Sequence, residues 1–265
     1  MRKFVTILVL LLNVTVWAQK SNTKTPAASV SAEMNAETFS GLKLRSIGPA
    51  FLSGRIQDIA IHPQDESIWY IAAGSGGVWK TINSGVIWTP VFENQKSYSI
   101  GCVTIDPNDP NIVWVGTGEN VGGRHVGYGD GIYRSEDGGA HWQNMGLPNS
   151  EHISRIIVKP GDSKVVWVAV QGPLWSKGGD RGLYKTTDGG KSWKKTLGDD
   201  QWTGVTEVVI DPRNPDLLYA ATWQHARTIA NYIGGGPGSG VYRSQDGGET
   251  WNKLTNGLPA GNMGK

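Results

Sequence analysis

RSQDGGETW, residues 243–251, is the stretch that decides the fold, because the chain contains it in four versions. The other versions are KTINSGVIW (80–88), RSEDGGAHW (134–142) and KTTDGGKSW (185–193). Their central polar residues, at positions 83, 137, 188 and 246, are 54, 51 and 58 residues apart. Self-similarity at this period is typical of a repeat protein in which each unit is one supersecondary element.

A second phrase precedes each copy and completes the repeat unit. IAIHPQDESIWYIAAG (59–74) corresponds to VTIDPNDPNIVWVGTG (103–118), IIVKPGDSKVVWVAVQ (156–171) and VVIDPRNPDLLYAATW (208–223). Each phrase is typical of two apolar strands joined by a Pro-bearing turn. With the strands on either side of the Asp-Gly-Gly turn, one unit forms a four-stranded antiparallel sheet of about 50 residues, the size of a propeller blade. The sequence therefore predicts an all-β propeller with blades at about 51–95, 99–147, 152–197 and 203–256.

The Asp-Gly-Gly motif has a structural explanation. Gly supplies the positive φ of a tight hairpin, and the Asp carboxylate accepts N–H groups of its own turn and the hydroxyl two residues earlier. The Trp begins the outer strand, packs on the blade and offers its N–H to a partner. An Asp engaged in this way is a poor catalytic candidate. The predicted structural set is Asn83, Trp88, Ser135, Asp137, Trp142, Asp188, Trp193, Ser244, Asp246 and Trp251.

The composition agrees with this prediction and limits the classes of partner to expect. The 265 residues include 37 Gly and 12 Trp, a mixture that suits many turns between short aromatic-rich strands. The net charge is only +2 and no long basic run occurs, so we expect neither nucleic acid nor an anionic membrane as partner. The single cysteine, Cys102 in the apolar run SIGCVTI, is predicted to be a buried free thiol.

The N-terminus, MRKFVTILVLLLNVTVWAQK, predicts export. Two basic residues precede an apolar run, Phe4 to Leu12, that is too short to span a bilayer, and a cut is expected after Ala18. Residues 19–38 are small and polar, as in a flexible leader. We therefore expect a periplasmic or extracellular protein that has no membrane anchor after cleavage.

The pattern Ser/Thr-x-Asp-x-Gly-x-x-Trp resembles the Asp box of bacterial neuraminidase repeats. Beyond it, SGRIQDIAIHP, GTGENVGGRHVGYGDGIYRSEDGG and GGGPGSGVYRSQDGGETW are similar to exported bacterial proteins labelled sortilin-N-terminal-like or glycosyl-hydrolase-like repeat proteins. The resemblance covers about residues 39–265. These proteins are more distantly similar to sortilin-type receptors and to xyloglucan-cleaving glycosidases built from tandem propellers. The resemblance implies the fold and leaves the activity open.

The same resemblance bears on the completeness of the ring, because members of that exported group generally run much longer. The final phrase, NGLPAGNMGK, is similar to GLPNSEHISR (146–155), after which a new blade begins. FSGLKLRSIGP (39–49) has strand character without partner strands and would complete the last blade of a closed ring. We therefore expect about four blades of an incomplete ring, truncated at the C-terminus.

The long loops on one rim are the predicted site. In an up-and-down blade, the Pro-bearing and Asp-Gly-Gly turns share one rim, and the loops after each second strand share the other. These loops grow from GSGG in blade one to 116–131, 171–182 and 222–240, and function is commonly carried by such loops. Aromatic rings there would stack on sugars, and Arg forks would bind polar groups. The predicted ligand-binding residues are Arg55, Arg124, His125, Tyr128, Trp175, Arg181, Trp223 and Arg227.

Carboxylates in these loops leave open whether the protein is an enzyme. Glu119 with Asp130 or Asp180 would supply the carboxylate pair of a glycoside hydrolase. Alternatively, the two aspartates brace Gly-rich loops and pair with Arg124 and Arg181. No dinucleotide loop, P-loop or zinc-binding His pair is present, so we predict no cofactor and no metal site. Two functions remain: a module binding a polysaccharide or a peptide, which we rank first, and a xyloglucanase-like or sialidase-like hydrolase.

Overall fold

The computed structural model describes residues 38, 40–42, 54–198, 200–259 and 261–265. The chain divides into two units, Met1–Ser46 and Ile47–Lys265, and every strand of the described residues lies in the second. The predicted signal peptide (1–18) and leader (19–38) lie outside the described residues, apart from Thr38. The predicted closing strand (39–49) also lies outside them, apart from residues 40–42.

Four-stranded antiparallel meanders build the second unit, and the described residues contain no α-helix. Blade one contains β1 to β4, at Ile56–Ile61, Trp69–Ala73, Gly77–Thr81 and Thr89–Pro90. Blade two contains β5 to β8, at Ile100–Ile105, Val113–Thr117, Ile132–Ser135 and Gln143–Asn144.

Blades three and four repeat this pattern with longer inner strands. Blade three contains β9 to β12, at Ile153–Lys159, Asp162–Val170, Gly182–Thr186 and Lys194–Leu197. Blade four contains β13, β14, β17 and β18, at Thr203–Asp211, Asn214–Gln224, Gly240–Ser244 and Asn252–Lys253. A two-stranded hairpin, β15 (Ala226–Arg227) and β16 (Tyr232–Ile233), is inserted in blade four. The four blades form a partial propeller, which confirms the predicted fold.

Each hydrophobic cluster lies between two successive blades. Alternation along a strand sends Val113 and Val115 of β6 towards blade one, where they pack near Tyr70. Trp114, between them, points the other way and packs against Val168 of blade three. Because both faces of an inner blade are covered, its strands are apolar at consecutive positions. The inner strands β1, β5, β9 and β13 contact one another in that order around the axis.

The two rims differ in their hydrogen bonds. On the first, each Asp-Gly-Gly hairpin bonds to the Pro-bearing turn of its own blade, as Gly138 N–H does to Asn111 O at 2.8 Å. On the second, the loops after the second strands bond to the connectors between blades. Gly118 N–H donates to Ser99 O at 2.7 Å, and Gly129 N–H donates to Glu151 O at 2.8 Å. The long loops are therefore held together on one rim, opposite the hairpins.

The hairpins show the turn chemistry expected from their residues. The Ser135 hydroxyl donates to Asp137 Oδ1 at 2.8 Å and accepts Gly139 N–H at 2.8 Å. The same carboxylate accepts His141 N–H at 2.8 Å. These bonds hold the pKa of the Asp137 carboxyl well below its ordinary value. In blade one the Asn83 amide oxygen takes the carboxylate's place, and Ser84 adopts the positive φ (56°) that Gly adopts elsewhere.

Candidate functional site

The predicted carboxylates are engaged in bracing the long-loop rim. Glu119 is buried, and its Oε1 lies 2.7 Å from Arg55 Nη2. Its Oε2 accepts Gly127 N–H at 3.3 Å, while its own N–H donates to the Ser99 hydroxyl at 3.1 Å. Arg55 begins the inner side of blade one, so this ion pair ties blade one to the loop of blade two. The Glu119 carboxylate, on which the hydrolase hypothesis depends, is therefore already engaged in an ion pair.

The two aspartates make loop contacts of a similar kind. Asp130 Oδ2 accepts the Tyr133 hydroxyl at 2.8 Å. Burial, together with this carboxylate, raises the pKa of Tyr133 to about 12. Asp180 Oδ2 accepts Asn149 N–H at 2.8 Å, and its own N–H donates to Asn149 O at 3.0 Å. These contacts favour the bracing interpretation, and the catalytic role of all three carboxylates stays a prediction.

Two residues predicted to bind a ligand lie inside the protein. Arg181 is 1% exposed, and its guanidinium donates to five backbone carbonyls of the neighbouring loops instead of pairing with Asp180. Burial lowers its pKa to about 10. Trp223 is also 1% exposed; its Nε1 donates to Gly234 O at 3.0 Å and its ring stacks on His225 at 4.0 Å. Both residues shape the loops from within, because packing between loops covers them.

Other predicted residues do form an exposed surface. The Arg227 guanidinium lies 4.2 Å from the Tyr232 ring centroid and 6.0 Å from that of Trp175. Trp175 is 38% and Tyr232 48% exposed, so both rings are partly accessible to a ligand, while Arg227 is half-buried. A cavity of about 370 Å³ opens at the same hairpin. Its lining residues are Trp202, Gln224, His225, Ala226, Thr228, Asn231 and Ile233.

The remaining predicted residues lie in the blade-two loop. Arg124 and His125 are exposed, and Tyr128 is exposed with its ring 5.8 Å from that of His152. The loop approaches blade four at Gly122, where an added Cβ would lie 3.5 Å from the Tyr232 hydroxyl and 3.6 Å from the Trp223 ring. The loops of blades two and four therefore meet at one place on the rim.

Several residues at this place were not predicted from the sequence. The Lys265 ammonium donates to Asn120 Oδ1 at 2.8 Å and to Gln171 Oε1 at 3.4 Å, and it lies 5.5 Å from the Trp223 ring centroid. The Gln171 amide also donates to Asn120 Oδ1. One signal was available for Gln171. At the repeat position where blades one and two have Gly74 and Gly118, blades three and four have Gln171 and Trp223.

His152 is a further buried polar group at this rim. Its ring is 3% exposed, and neither nitrogen makes a well-formed hydrogen bond within the part of the chain that the structure describes. Burial lowers its pKa to about 4, and the charges of Lys265 and Arg181 act in the same direction. The His225 pKa falls to about 4 for the same main reason. Both imidazoles are therefore neutral at pH 7.

Among the residues with described positions, no cluster of three His, Cys, Asp or Glu side chains has the arrangement of a metal site. No helix in that part of the chain is both long and apolar enough to cross a membrane.

Comparison with known proteins supports the fold. The Sortilin-Vps10 family model, described as "Sortilin, neurotensin receptor 3,", matches residues 130–260. An ancestral GH74 enzyme of known structure superposes with a TM-score of 0.58 at 24% identity, covering 78% of this chain and 25% of that one. The chain has the fold of a β-propeller protein. At this identity the structural likeness concerns the fold alone.

Curated relatives extend the comparison. The oligoxyloglucan-reducing end-specific xyloglucanase of Emericella nidulans is 24% identical over 207 residues, which are 75% of this chain and 24% of that protein. The photosystem II assembly lipoprotein Ycf48 of a Synechococcus species is 30% identical over 130 residues, or 48% of this chain and 31% of that protein. The propeller chain spans about a quarter of the length of the curated xyloglucanases it matches.

Proposed function

We propose that this propeller segment binds a glycan through its long-loop rim, as part of an exported protein cleaved near Ala18. The observation that carries the proposal is the exposed stack of Trp175, Arg227 and Tyr232 beside an apolar cavity. Flat aromatic faces suit the apolar faces of sugar rings, and a guanidinium supplies hydrogen bonds to hydroxyls. The xyloglucanases among the relatives make a polysaccharide a reasonable ligand class.

We also propose that the four hairpins are Asp boxes of the bacterial neuraminidase type. Support comes from the shared bonds of Asn83, Asp137, Asp188 and Asp246 to the hydroxyl two residues earlier. In this proposal the motif is a structural clamp on the rim opposite the ligand. The conserved geometry of the clamp would then carry no information about the ligand itself.

A hydrolase acting on a polysaccharide is the second candidate. The names of the relatives favour it, and Glu119, Asp130 and Asp180 are its acid–base candidates. The ion pair of Glu119 with Arg55 and the loop contacts of the two aspartates favour binding over catalysis. A protein or peptide partner is a third outcome, suggested by the relative named as an assembly lipoprotein.

Calorimetry on the exported protein tests the binding proposal. We expect xyloglucan oligosaccharides or another glycan of a plant and host panel to bind, and Trp175→Ala to weaken binding about tenfold, because the stacking face is lost. Trp88→Ala, on the hairpin rim, is the matched control and should leave the affinity unchanged. Release of reducing sugar that disappears in Glu119→Gln or Asp180→Asn would instead establish the hydrolase. Absence of binding to every glycan would contradict both.

A further inference from the structure

We propose that the glycan bound at this rim is acidic, with its carboxylates held by Arg227 and Lys265 and its sugar rings on Trp175 and Tyr232. The inference rests on the proposed glycan-binding function and specifies the ligand class. It differs from the neutral polysaccharide that the names of the xyloglucanase relatives suggest.

The two cations are connected by neighbouring aromatic rings on the long-loop rim. Arg227 lies over Tyr232 and near Trp175, at 4.2 and 6.0 Å from their ring centroids. Lys265 lies 5.5 Å from the centroid of Trp223. Tyr232 and Trp223 both lie within 4 Å of the point where a Cβ on Gly122 would stand. Cations and rings therefore alternate where the loops of blades two, three and four meet. We call this region the seam; its residues are Lys265, Trp223, Tyr232, Arg227 and Trp175.

Neither cation has a carboxylate partner in the described part of the chain. Its ion pairs include neither Arg227 nor Lys265. The Lys265 ammonium contacts two neutral amide oxygens, from Asn120 and Gln171. Lys265 is exposed as a residue, yet burial around its amino group lowers its pKa to about 8, because no anion compensates the lost water. A bound carboxylate would supply that missing charge.

The acidic side chains of the rim are held elsewhere. Glu119 pairs with Arg55, and Asp180 accepts the Asn149 N–H. Asp200 accepts the N–H groups of Trp202 and Thr203 at 2.6 and 2.7 Å. None of these carboxylates makes an ion pair with Arg227 or Lys265. An incoming anion therefore meets little competition for Arg227 and Lys265.

The charges of Arg181 and Lys265 also reach the buried imidazoles of His152 and His225. Besides burial, the charges of Arg181 and Lys265 lower the pKa of His152, and the same two charges act on His225. Those cations are therefore near enough to act on groups in two different blades. A positive field of this kind favours an anion at the surface in front of it.

The exposed rings favour an acidic glycan over an acidic peptide. Two partly exposed aromatic faces, Trp175 and Tyr232, lie beside a cavity whose lining includes Trp202 and Ile233. Sugar rings carry apolar faces that cover such aromatics while their carboxylates remain at the ring edge. A uronic acid suits both the aromatic rings and the cations of the seam, because one sugar residue carries an apolar ring face and a carboxylate.

Calorimetric titration of the full chain tests the inference with three probes: hexagalacturonate, a neutral xyloglucan heptasaccharide and hexaglutamate. At pH 7 we expect Lys265→Met and Arg227→Met each to weaken hexagalacturonate binding about tenfold, the effect of one charge-assisted contact. In Lys265→Met, binding of the neutral heptasaccharide should change less than twofold, whereas Arg227→Met should weaken the neutral glycan less than the acidic one, because Arg227 also belongs to the general glycan-binding stack. Lys253→Met is the matched control, because Lys253 also lies over an aromatic ring of blade four, Tyr242, and its ammonium is already bonded to Pro237 O at 2.9 Å.

A pH series adds a second measurement. Wild-type affinity for hexagalacturonate should fall between pH 7 and pH 9, as Lys265 loses its proton, and Lys265→Met should abolish that fall. The titratable groups around the seam also include His152, His225, Arg181, Glu151 and Asp200. The two imidazoles stay neutral in this window because their pKa values lie near 4.

The outcomes separate the two proposals. Equal affinity for the neutral and acidic glycans, or acidic binding unaffected by both substitutions, would overturn the acidic assignment while glycan binding stands. Tighter binding of hexaglutamate than of hexagalacturonate would replace the glycan with an acidic peptide. Failure of every glycan to bind would contradict the proposed function itself. Should Arg227→Met not fold, Lys265→Met still decides the question, since its side chain lies at the surface.

Discussion

At the scale of single residues, burial at the rim changes the chemistry of groups that look ordinary in the sequence. His152 and His125 have the same side chain, but the first is enclosed beside Tyr128 and the second is exposed. Enclosure disfavours the imidazolium, so the His152 pKa falls from 6.5 to about 4. The unfolded chain binds a proton at higher pH than the folded chain, and folding stability becomes dependent on pH.

His152 therefore predicts a loss of stability in mild acid. Because the folded pKa lies below the unfolded one, the contribution of the neutral ring is complete above about pH 6.5 and is lost as the pH falls towards 4. We expect His152→Phe to reduce the fall in unfolding free energy between pH 7 and pH 4.5, and His225 to contribute in the same direction. Urea unfolding at several pH values measures this. His125→Phe is the control, and an unchanged slope in His152→Phe would contradict the assignment.

At the scale of the hairpin, the repeated tryptophan connects one blade to the previous one. Trp142 Nε1 donates to Val91 O at 2.7 Å, and Trp193 Nε1 donates to Met145 O at 2.8 Å. Each acceptor belongs to the end of the preceding blade. Trp88 occupies the same place in blade one, where its indole N–H makes no hydrogen bond to a described residue. The motif thus closes its own turn and also fixes the spacing between blades.

Replacing these tryptophans with phenylalanine separates the two roles. Trp142→Phe keeps an aromatic ring on the hairpin but removes the N–H to Val91, which should lower the unfolding free energy by about 1–2 kcal/mol relative to Trp88→Phe. Chemical denaturation of the two variants measures the difference. Equal losses would mean that packing, and not the bond between blades, is the contribution of the indole.

At the scale of the whole molecule, the inner strands approach one another where glycine removes a side chain. A Cβ built on Gly101 of β5 would lie 2.0 Å from Ile153 O of blade three and 2.4 Å from Gly118 O. Both obstacles are backbone atoms, so no rotamer change relieves the contact. The close approach brings the blade-two loop and the blade-three connector together, which is where Asn120 and Gln171 meet.

Gly101→Ala should consequently separate blades two and three. We expect a loss of about 3 kcal/mol or more in unfolding free energy, because the added methyl overpacks a backbone contact. Gly122→Ala is the matched control, since its Cβ would meet its neighbours at ordinary distances of 3.5 Å and more. Thermal unfolding compares the two. Wild-type stability in Gly101→Ala would show that the inner strands are less tightly packed than this structure has them.

The fold and the hairpins could be predicted from the sequence, because their causes are local and are repeated four times. The bonds of Ser135 and Asp137 span two to four residues, so turn chemistry determines them wherever the blade lies. The loop lengths likewise predict a site on the long-loop rim, and that site stays a prediction.

Only the tertiary structure decided which side chains that rim presents. The sequence predicts the same ligand-binding role for Trp175 and Trp223, yet packing leaves the first partly exposed and encloses the second. The Arg181 guanidinium is fully buried and bonded to backbone carbonyls, whereas Arg227 is half-buried against the Tyr232 ring. Lys265 meets Asn120 across 145 residues of chain, a contact that no local pattern records. The physical reason is that burial and charge at the seam arise from three loops packing together, and each loop alone carries only its own backbone preferences.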